Sequence, residues 1–196
     1  MRPIRTERLI LRNWEERDRH LFHRINSDER VMEFFPFRRD RAAADAKMDE
    51  FRAWIAEDGY GFAAAEIIET GECIGFVGLL VTDHLPVLPA GTVEIGWRLA
   101  PEFWGHGYVT EAAEAWLTYG FETLGLDEIV SFAVGDNRRS TAVMERLGMT
   151  ADPANDFDHP GIPDSYPALK RHVLYRLSRD DWRTRKKAAR WPPFFP

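Results

Sequence analysis

The chain has 196 residues, 44% of them hydrophobic and 30% charged, with a net charge of −6 and a single cysteine, Cys73. That length suits one domain with a substantial core, and a lone cysteine excludes an internal disulfide framework. No apolar run approaches a membrane span and the opening MRPIRTERLIL lacks a signal-peptide layout, so the expectation is a cytoplasmic chain without a membrane partner.

In chain order, residues 6–14 (TERLILRNW) read as an edge-like strand with Leu9 and Leu11 on one face. Residues 15–25 follow as a helix whose apolar side holds Leu21, Phe22 and Ile25. Residues 28–37 (DERVMEFFPF) are short and aromatic, and Pro36 ends whatever helix they make. Residues 41–57 place Ala44, Met48, Phe51 and Ile55 on one side at helical spacing. Residues 60–68 and 72–82 read as a hairpin turning near Thr70 and Gly71. Cys73 lies in the second of these strands, where packing is its expected role. Residues 83–91 are a loop carrying Pro86 and Pro89.

The stretch 92–115 organises the rest. Val93, Ile95, Trp97 and Leu99 alternate with Thr92, Glu94, Gly96 and Arg98, the period of a half-buried strand. Pro101, Gly105 and Gly107 then stop the strand and permit a tight, open loop. From Val109 the apolar positions fall at helical spacing, through Ala112, Ala113, Trp116, Leu117 and Phe121. A helix start offers unpaired amides and the positive end of the macrodipole, and glycines let an anion approach them closely. A plain structural turn is the other reading of the same glycines.

Residues 127–134 are the next strand, and strand–helix–strand in this span makes a right-handed crossover with parallel strands. Asn137 is a plausible N-cap for a helix that stops at Leu147-Gly148. Residues 149–150 and 172–177 supply the last strands. Between them lies a long proline-rich loop with Asp156, Asp158 and His159 close together, suited to ordering against an acceptor or partner, or to surface structure, more than to a metal. Beyond Trp182 come five positive charges and no negative one, which leaves −11 on the body. An acidic body disfavours nucleic acid and favours cationic acceptors such as amines. Trp191, Phe194 and Phe195 in the tail suggest docking on this chain's body or on a second subunit.

The run EIGWRLAPEFWGHGYVTEA, together with TERLILR, NRRSTAVMERLGM and HVLYRL, resembles the GCN5-related N-acetyltransferases, in particular the branch of ribosomal-protein N-terminal alanine and serine acetyltransferases. The resemblance spans residues 6–182. It implies an α/β (α+β) fold with a mixed central sheet of about seven strands, flanked by helices. A bulged central strand and its parallel neighbour are expected to splay into a cleft for acetyl-CoA. The domain is expected over residues 1–182, followed by a basic and aromatic tail over residues 183–196, in a monomer or homodimer.

Residue by residue, the family's loop pattern Gln/Arg-x-x-Gly-x-Gly/Ala falls on Trp104, Gly105, His106, Gly107, Tyr108 and Val109. Trp104 and Val109 depart from it. Those positions are expected to hold the CoA pyrophosphate, with the backbone of Trp97, Arg98 and Leu99 and the side chain of Asn137 on the pantetheine arm. An amine must lose a proton before it attacks a thioester, and the departing thiolate must gain one. The resemblance assigns these roles to Glu94 and Ser140. Otherwise Glu94 is a solvated residue, and the Ser140 hydroxyl steadies its own helix. The implied activity is direct acetyl transfer to a protein N-terminal or small-molecule amine. A module that binds or senses acyl-CoA without turnover is the competing reading, and nucleic-acid binding through the tail is a third.

Overall fold

The computed structural model describes residues 1–83 and 85–190. One mixed sheet runs through the molecule in the order β1-β2-β3-β4-β5-β6-β9-β7, with β8 also on β9. Its strands are β1 (Ile4–Arg5), β2 (Leu9–Arg12), β3 (Phe62–Ile67), β4 (Cys73–Val81), β5 (Val93–Leu99), β6 (Glu128–Val134), β7 (Thr150–Ala151), β8 (Phe157–Asp158) and β9 (Arg171–Ser178). The helices are α1 (Arg19–Ser27), α2 (Arg41–Asp58), α3 (Tyr108–Thr118), α4 (Arg138–Arg146) and α5 (Arg179–Arg190). No helix among the described residues is long and apolar enough to cross a membrane.

The architecture expected from the sequence is present, with nine strands instead of about seven. The surplus comes from short pieces. Thr6 makes a tight turn, its Oγ1 accepting the Leu9 N–H at 2.9 Å, and so breaks the expected first strand into the β1–β2 hairpin. The long loop before β9 contributes β7 and β8 along one edge of that strand. Residues 28–37 form turns and no helix. The segment before α1 is a 3-10 turn at Glu16–Asp18, held by a reciprocal cap between Glu15 and Asp18. Asp40 caps α2 by accepting the Ala43 N–H, and Gly59, in the left-handed region at φ 81°, ends it.

β5 stands at the centre of the molecule. Its register with β4 is unbroken from Val93↔Val81 to Leu99↔Gly75, so β5 carries no bulge on that side. The irregularity lies one strand away, between Ala65 and Glu66 of β3 opposite Cys73 and Gly75. On its other side β5 meets the parallel strand β6 at one position, Glu94↔Val130. The Ser131 hydroxyl donates to the Ile95 carbonyl at 2.9 Å just beyond it, and past that bond the two strands diverge. β6 is fully occupied on its far side by β9, from Glu128↔Ser178 to Val134↔His172.

The alternation read in β5 decides what each face meets. Val93, Ile95 and Leu99 are buried in the main core with Ala112, Ala113, Trp116 and Leu117 of α3. Glu94, Gly96 and Arg98 point the other way, toward α1, α2 and the rings of Phe62 and Phe76. Beneath this layer Arg12 forms a buried network, donating to Asp18 at 2.7 and 3.0 Å and to Glu66 at 2.8 Å. These partners raise the Arg12 pKa further, against the cost of burial.

Candidate active site

The divergence of β5 from β6 leaves backbone groups without ladder partners. Ile95 turns its carbonyl to β6, and backbone direction repeats every second residue, so Trp97 and Leu99 face the gap as well. The Leu99 carbonyl accepts the Trp104 indole N–H at 2.9 Å, in keeping with that direction. Arg98 faces β4 with its main chain, opposite Phe76, as does Ala100, whose N–H reaches the Ile74 carbonyl at 3.0 Å. Of the three backbones expected on the pantetheine arm, the structure therefore turns Trp97 and Leu99 to the gap and Arg98 away from it.

The loop after β5 runs through a 3-10 turn at Pro101–Phe103 into α3. Gly105 and Gly107 both sit in the left-handed region, at φ 80° and 79°, which a side chain would disfavour. Nothing lies within 4 Å of where a Cβ on Gly105 would be, so its outer face is open. The first helical bond of α3 runs from the Glu111 N–H to the Gly107 carbonyl, leaving the amides of Tyr108, Val109 and Thr110 at an uncapped N-terminus. His106 stacks on Tyr108 at 5.8 Å. The Trp104 side chain turns back from the loop onto the strand. Its indole ties the loop to the end of β5, and Arg139 stacks over its ring at 4.6 Å.

Arg8 reaches this loop from the β1–β2 turn, a role that no pattern in the sequence assigns to it. Its Nη1 donates to the His106 carbonyl at 3.0 Å, and its guanidinium lies 4.6 Å from the Tyr108 ring. Glu111 holds it there, accepting from Arg8 Nε at 2.6 Å and from Thr6 Oγ1 at 2.6 Å. These bonds keep the Glu111 carboxyl below its ordinary range, against the effect of burial. The only available signal was position: Arg8 lies within TERLILR.

Across the gap, Asn137 caps α4, its Oδ1 accepting the Ser140 N–H at 3.1 Å. That role had been read from the sequence, and it leaves the Asn137 amide N–H groups unbonded among the described residues. The Ser140 hydroxyl is half-buried and makes no hydrogen bond there, so it does not steady its own helix.

On the opposite face of β5 a cavity of about 710 Å³ opens between β5, α1 and α2. Phe35, Phe37 and Trp54 line it, whereas Phe34 lies by Arg139 instead. Glu94 and Arg98 stand on its floor with Gly96 between them. A Cβ at Gly96 would come within 2.9 Å of the Phe62 ring, so glycine alone keeps this floor flat. Glu94 is 9% exposed and forms no hydrogen bond or ion pair among the described residues. It is thus no solvated surface carboxylate. Desolvation by burial pushes its pKa up to about 8. Glu94 also marks the one position where β5 still touches β6, so it sits at the head of the gap, on the cavity side.

The Cys73 thiol is pushed up to about 12 by burial, and it is no nucleophile there. In the long loop Asp156 accepts the Leu174 N–H at 2.9 Å, while the His159 ring lies tilted against that of His172, centres 4.9 Å apart. The tail expectation for Trp191, Phe194 and Phe195 lies outside the described residues. α5 runs across the division placed after residue 182. Trp182 is buried against Phe121, and Arg185 grips Glu114 of α3 with bonds of 2.5 and 2.9 Å.

Comparison with known proteins agrees with this geometry. A model of the acetyltransferase (GNAT) domain matches residues 8–150. The FsC-acetyl coenzyme A-N(2)-transacetylase of Aspergillus fumigatus is 29% identical over 206 residues, covering 98% of this chain and 84% of that protein. The crystal structure of an acetyltransferase from Agrobacterium tumefaciens is 33% identical, with a TM-score of 0.71 over 90% of this chain and 94% of that one. At the level of fold alone, the ribosomal-protein-S5-alanine acetyltransferase of Vibrio fischeri aligns with a TM-score of 0.69 at 16% identity, over 92% and 98% of the two chains. With the splayed β5–β6 pair, the open glycine loop and the family match over residues 8–150, this chain belongs to the GCN5-related N-acetyltransferase (GNAT) family.

Proposed function

We propose that this enzyme transfers an acetyl group directly from acetyl-CoA to a primary amine, with Glu94 taking the proton from the amine. The observation that carries the reading is Glu94 itself, a buried carboxyl without a partner among the described residues, on a cavity floor at the head of the β5–β6 gap. Its pKa of about 8 lies close to that of an α-amine, about 7.7–8.0, so proton transfer between the two is nearly balanced. A lysine side chain, near 10.4, is a poorer match. Protein N-termini and small α-amines are therefore the acceptors this site favours.

Residues available to bind the cofactor fit the group. Unpaired amides at Tyr108 and Val109, with the open face of Gly105, suit a pyrophosphate, and Gly107 and His106 shape the same turn. Arg8 places a cation beside it. Trp97 and Leu99 offer strand backbone to the pantetheine amides, and Asn137 its free amide N–H groups. Acetyl-CoA, when bound, supplies the activated acetyl thioester. Ser140, whose hydroxyl has no partner among the described residues, would protonate the departing sulfur.

Thiol release from acetyl-CoA, measured against a panel of amines, tests the reading. Release that depends on an α-amine is expected. Stabilisation by CoA without any amine-dependent release would instead mark a binding or sensing module.

A further inference from the structure

The acceptor cavity holds a charge arrangement that acetyl transfer does not require. Arg98, four residues beyond Glu94 on the same face of β5, donates from Nη1 to Asn26 Oδ1 at 2.6 Å. Its guanidinium lies 4.4 Å from the Phe35 ring centre and 5.4 Å from that of Phe76. Arg39 donates from Nη1 to the same Asn26 oxygen at 3.1 Å and sits 4.5 Å over Phe37. Two cations thus converge on one neutral oxygen.

That oxygen is fixed. Asn26 is 1% exposed, and its Nδ2 donates to the Phe22 carbonyl at 2.7 Å, so the amide cannot turn. The Arg39 N–H also bonds the Asn26 main-chain carbonyl at 2.9 Å, which holds both arginines in place. Among the described residues neither guanidinium forms an ion pair. Of the other carboxylates lining the cavity, Glu50 pairs with Lys47 at 2.5 Å while still attracting Arg39 at longer range, Asp83 accepts the Gly91 N–H at 2.7 Å, and Asp58 forms no ion pair with either arginine. Burial first, and then Arg39, hold the Arg98 pKa down to about 9, and burial lowers that of Arg39 as well. A tie between β5 and α1 would need one donor. Here each arginine uses one of its five N–H groups on Asn26, and its side chain forms no other hydrogen bond among the described residues.

Planar guanidiniums with free forked donors, stacked on aromatic rings and lacking a counter-ion, suit a carboxylate. We infer that Arg39 and Arg98 form an anion subsite, and that the amine acetylated here carries a carboxylate at its far end. The far end follows from the strand: Cα atoms four residues apart lie about 13 Å from each other. An amine at Glu94 and a carboxylate at the arginines therefore belong to opposite ends of one acceptor. The net acidity of the body, which favours cationic acceptors, is offset only at the arginine end of a cavity that Glu50, Asp58 and Asp83 also line. This inference rests on the proposed amine acetylation, and its test is built to fail separately.

The test uses oligoglycine peptides of increasing length, which carry an α-amine at one end and a carboxylate at the other, each compared with its own C-terminal carboxamide, in thiol-release assays on the full chain. Longer acids should show a KM about 10- to 100-fold below that of their amides, the range for a hydrogen-bonded charge. In Arg39→Gln the acid's KM should rise toward that of the amide. Binding of the N-acetylated acids and amides, followed by thermal shift on the wild-type protein, reads the subsite without turnover. Preferential stabilisation by the N-acetylated acids would uphold the subsite even if no amine released thiol, an outcome that would sink only the acetylation reading. Equal KM and equal stabilisation for acid and amide would overturn the inference and leave the arginines as a tie between α1 and β5.

Discussion

At Glu94 stability and turnover pull in opposite directions. Its folded pKa of about 8 stands above the ordinary 4.5, so the folded chain holds this proton more tightly than the unfolded chain. The contribution to stability is complete below about pH 4.5 and is lost as the pH rises through about 8. Glutamine mimics the neutral acid at every pH. Glu94→Gln should therefore melt at a temperature that varies less than wild type between pH 5 and pH 8.5, the gap opening on the alkaline side. Turnover should drop by roughly 10²–10⁴-fold at neutral pH and recover in part at higher pH, where the amine arrives already neutral. A variant with wild-type turnover across that range would remove Glu94 from the chemistry. Ser140→Ala makes the contrast: its loss should persist at high pH, since the defect lies at thiolate departure. The strand's period showed in advance which face Glu94 occupies, but not that this face is roofed. The roof consists of Phe62, Phe76 and α2, all distant in sequence, and only tertiary packing assembles them over the polar side of β5.

Among the elements, α3 was the most legible, because its apolar positions and the two glycines before it state a helix and its start together. The structure begins it at Tyr108 and widens its end into a π turn over Tyr119–Thr123. Periodicity does not register such a change in winding. It also missed the Thr6 turn, which rests on one side-chain hydrogen bond, and the turns of residues 28–37, whose aromatic residues serve the cavity and the Arg139 surface in place of a helix face. The open α3 start makes a thermal prediction. Ligand at about a hundred times its Kd adds about 2.7 kcal/mol of stability, so CoA should raise Tm clearly, and pantetheine lacking phosphates far less. Gly107→Val should lose most of the CoA gain relative to its own unliganded Tm, because a branched side chain at φ 79° both strains the turn and crowds the amides. Equal gains from pantetheine and CoA would remove the pyrophosphate from this loop.

Across the whole molecule, order and crossover followed from the sequence: a first strand, two helices, three strands, then a strand–helix–strand crossover to a parallel neighbour. The arginine pair could not be foreseen, since Asn26, Arg39 and Arg98 carry no mutual spacing signal and meet only when α1 closes on β5. The net charge was a poor guide to the site for the same reason: it averages a surface over a cavity. The single contact at Glu94↔Val130, with the Ser131 bond, has a mechanical meaning of its own. Along that line the sheet is two panels, β1–β5 and β6–β9, stitched at one end. A pantetheine arm lying in the open part would act as a tenth strand, restoring the missing rungs and letting the panels move as one. Hydrogen exchange should show this directly. On adding CoA, protection should grow most at the amides of Trp97 and Leu99, and much less inside β3 or β9, which are already laddered. A uniform rise across the sheet would mean that the panels were coupled before the cofactor arrived.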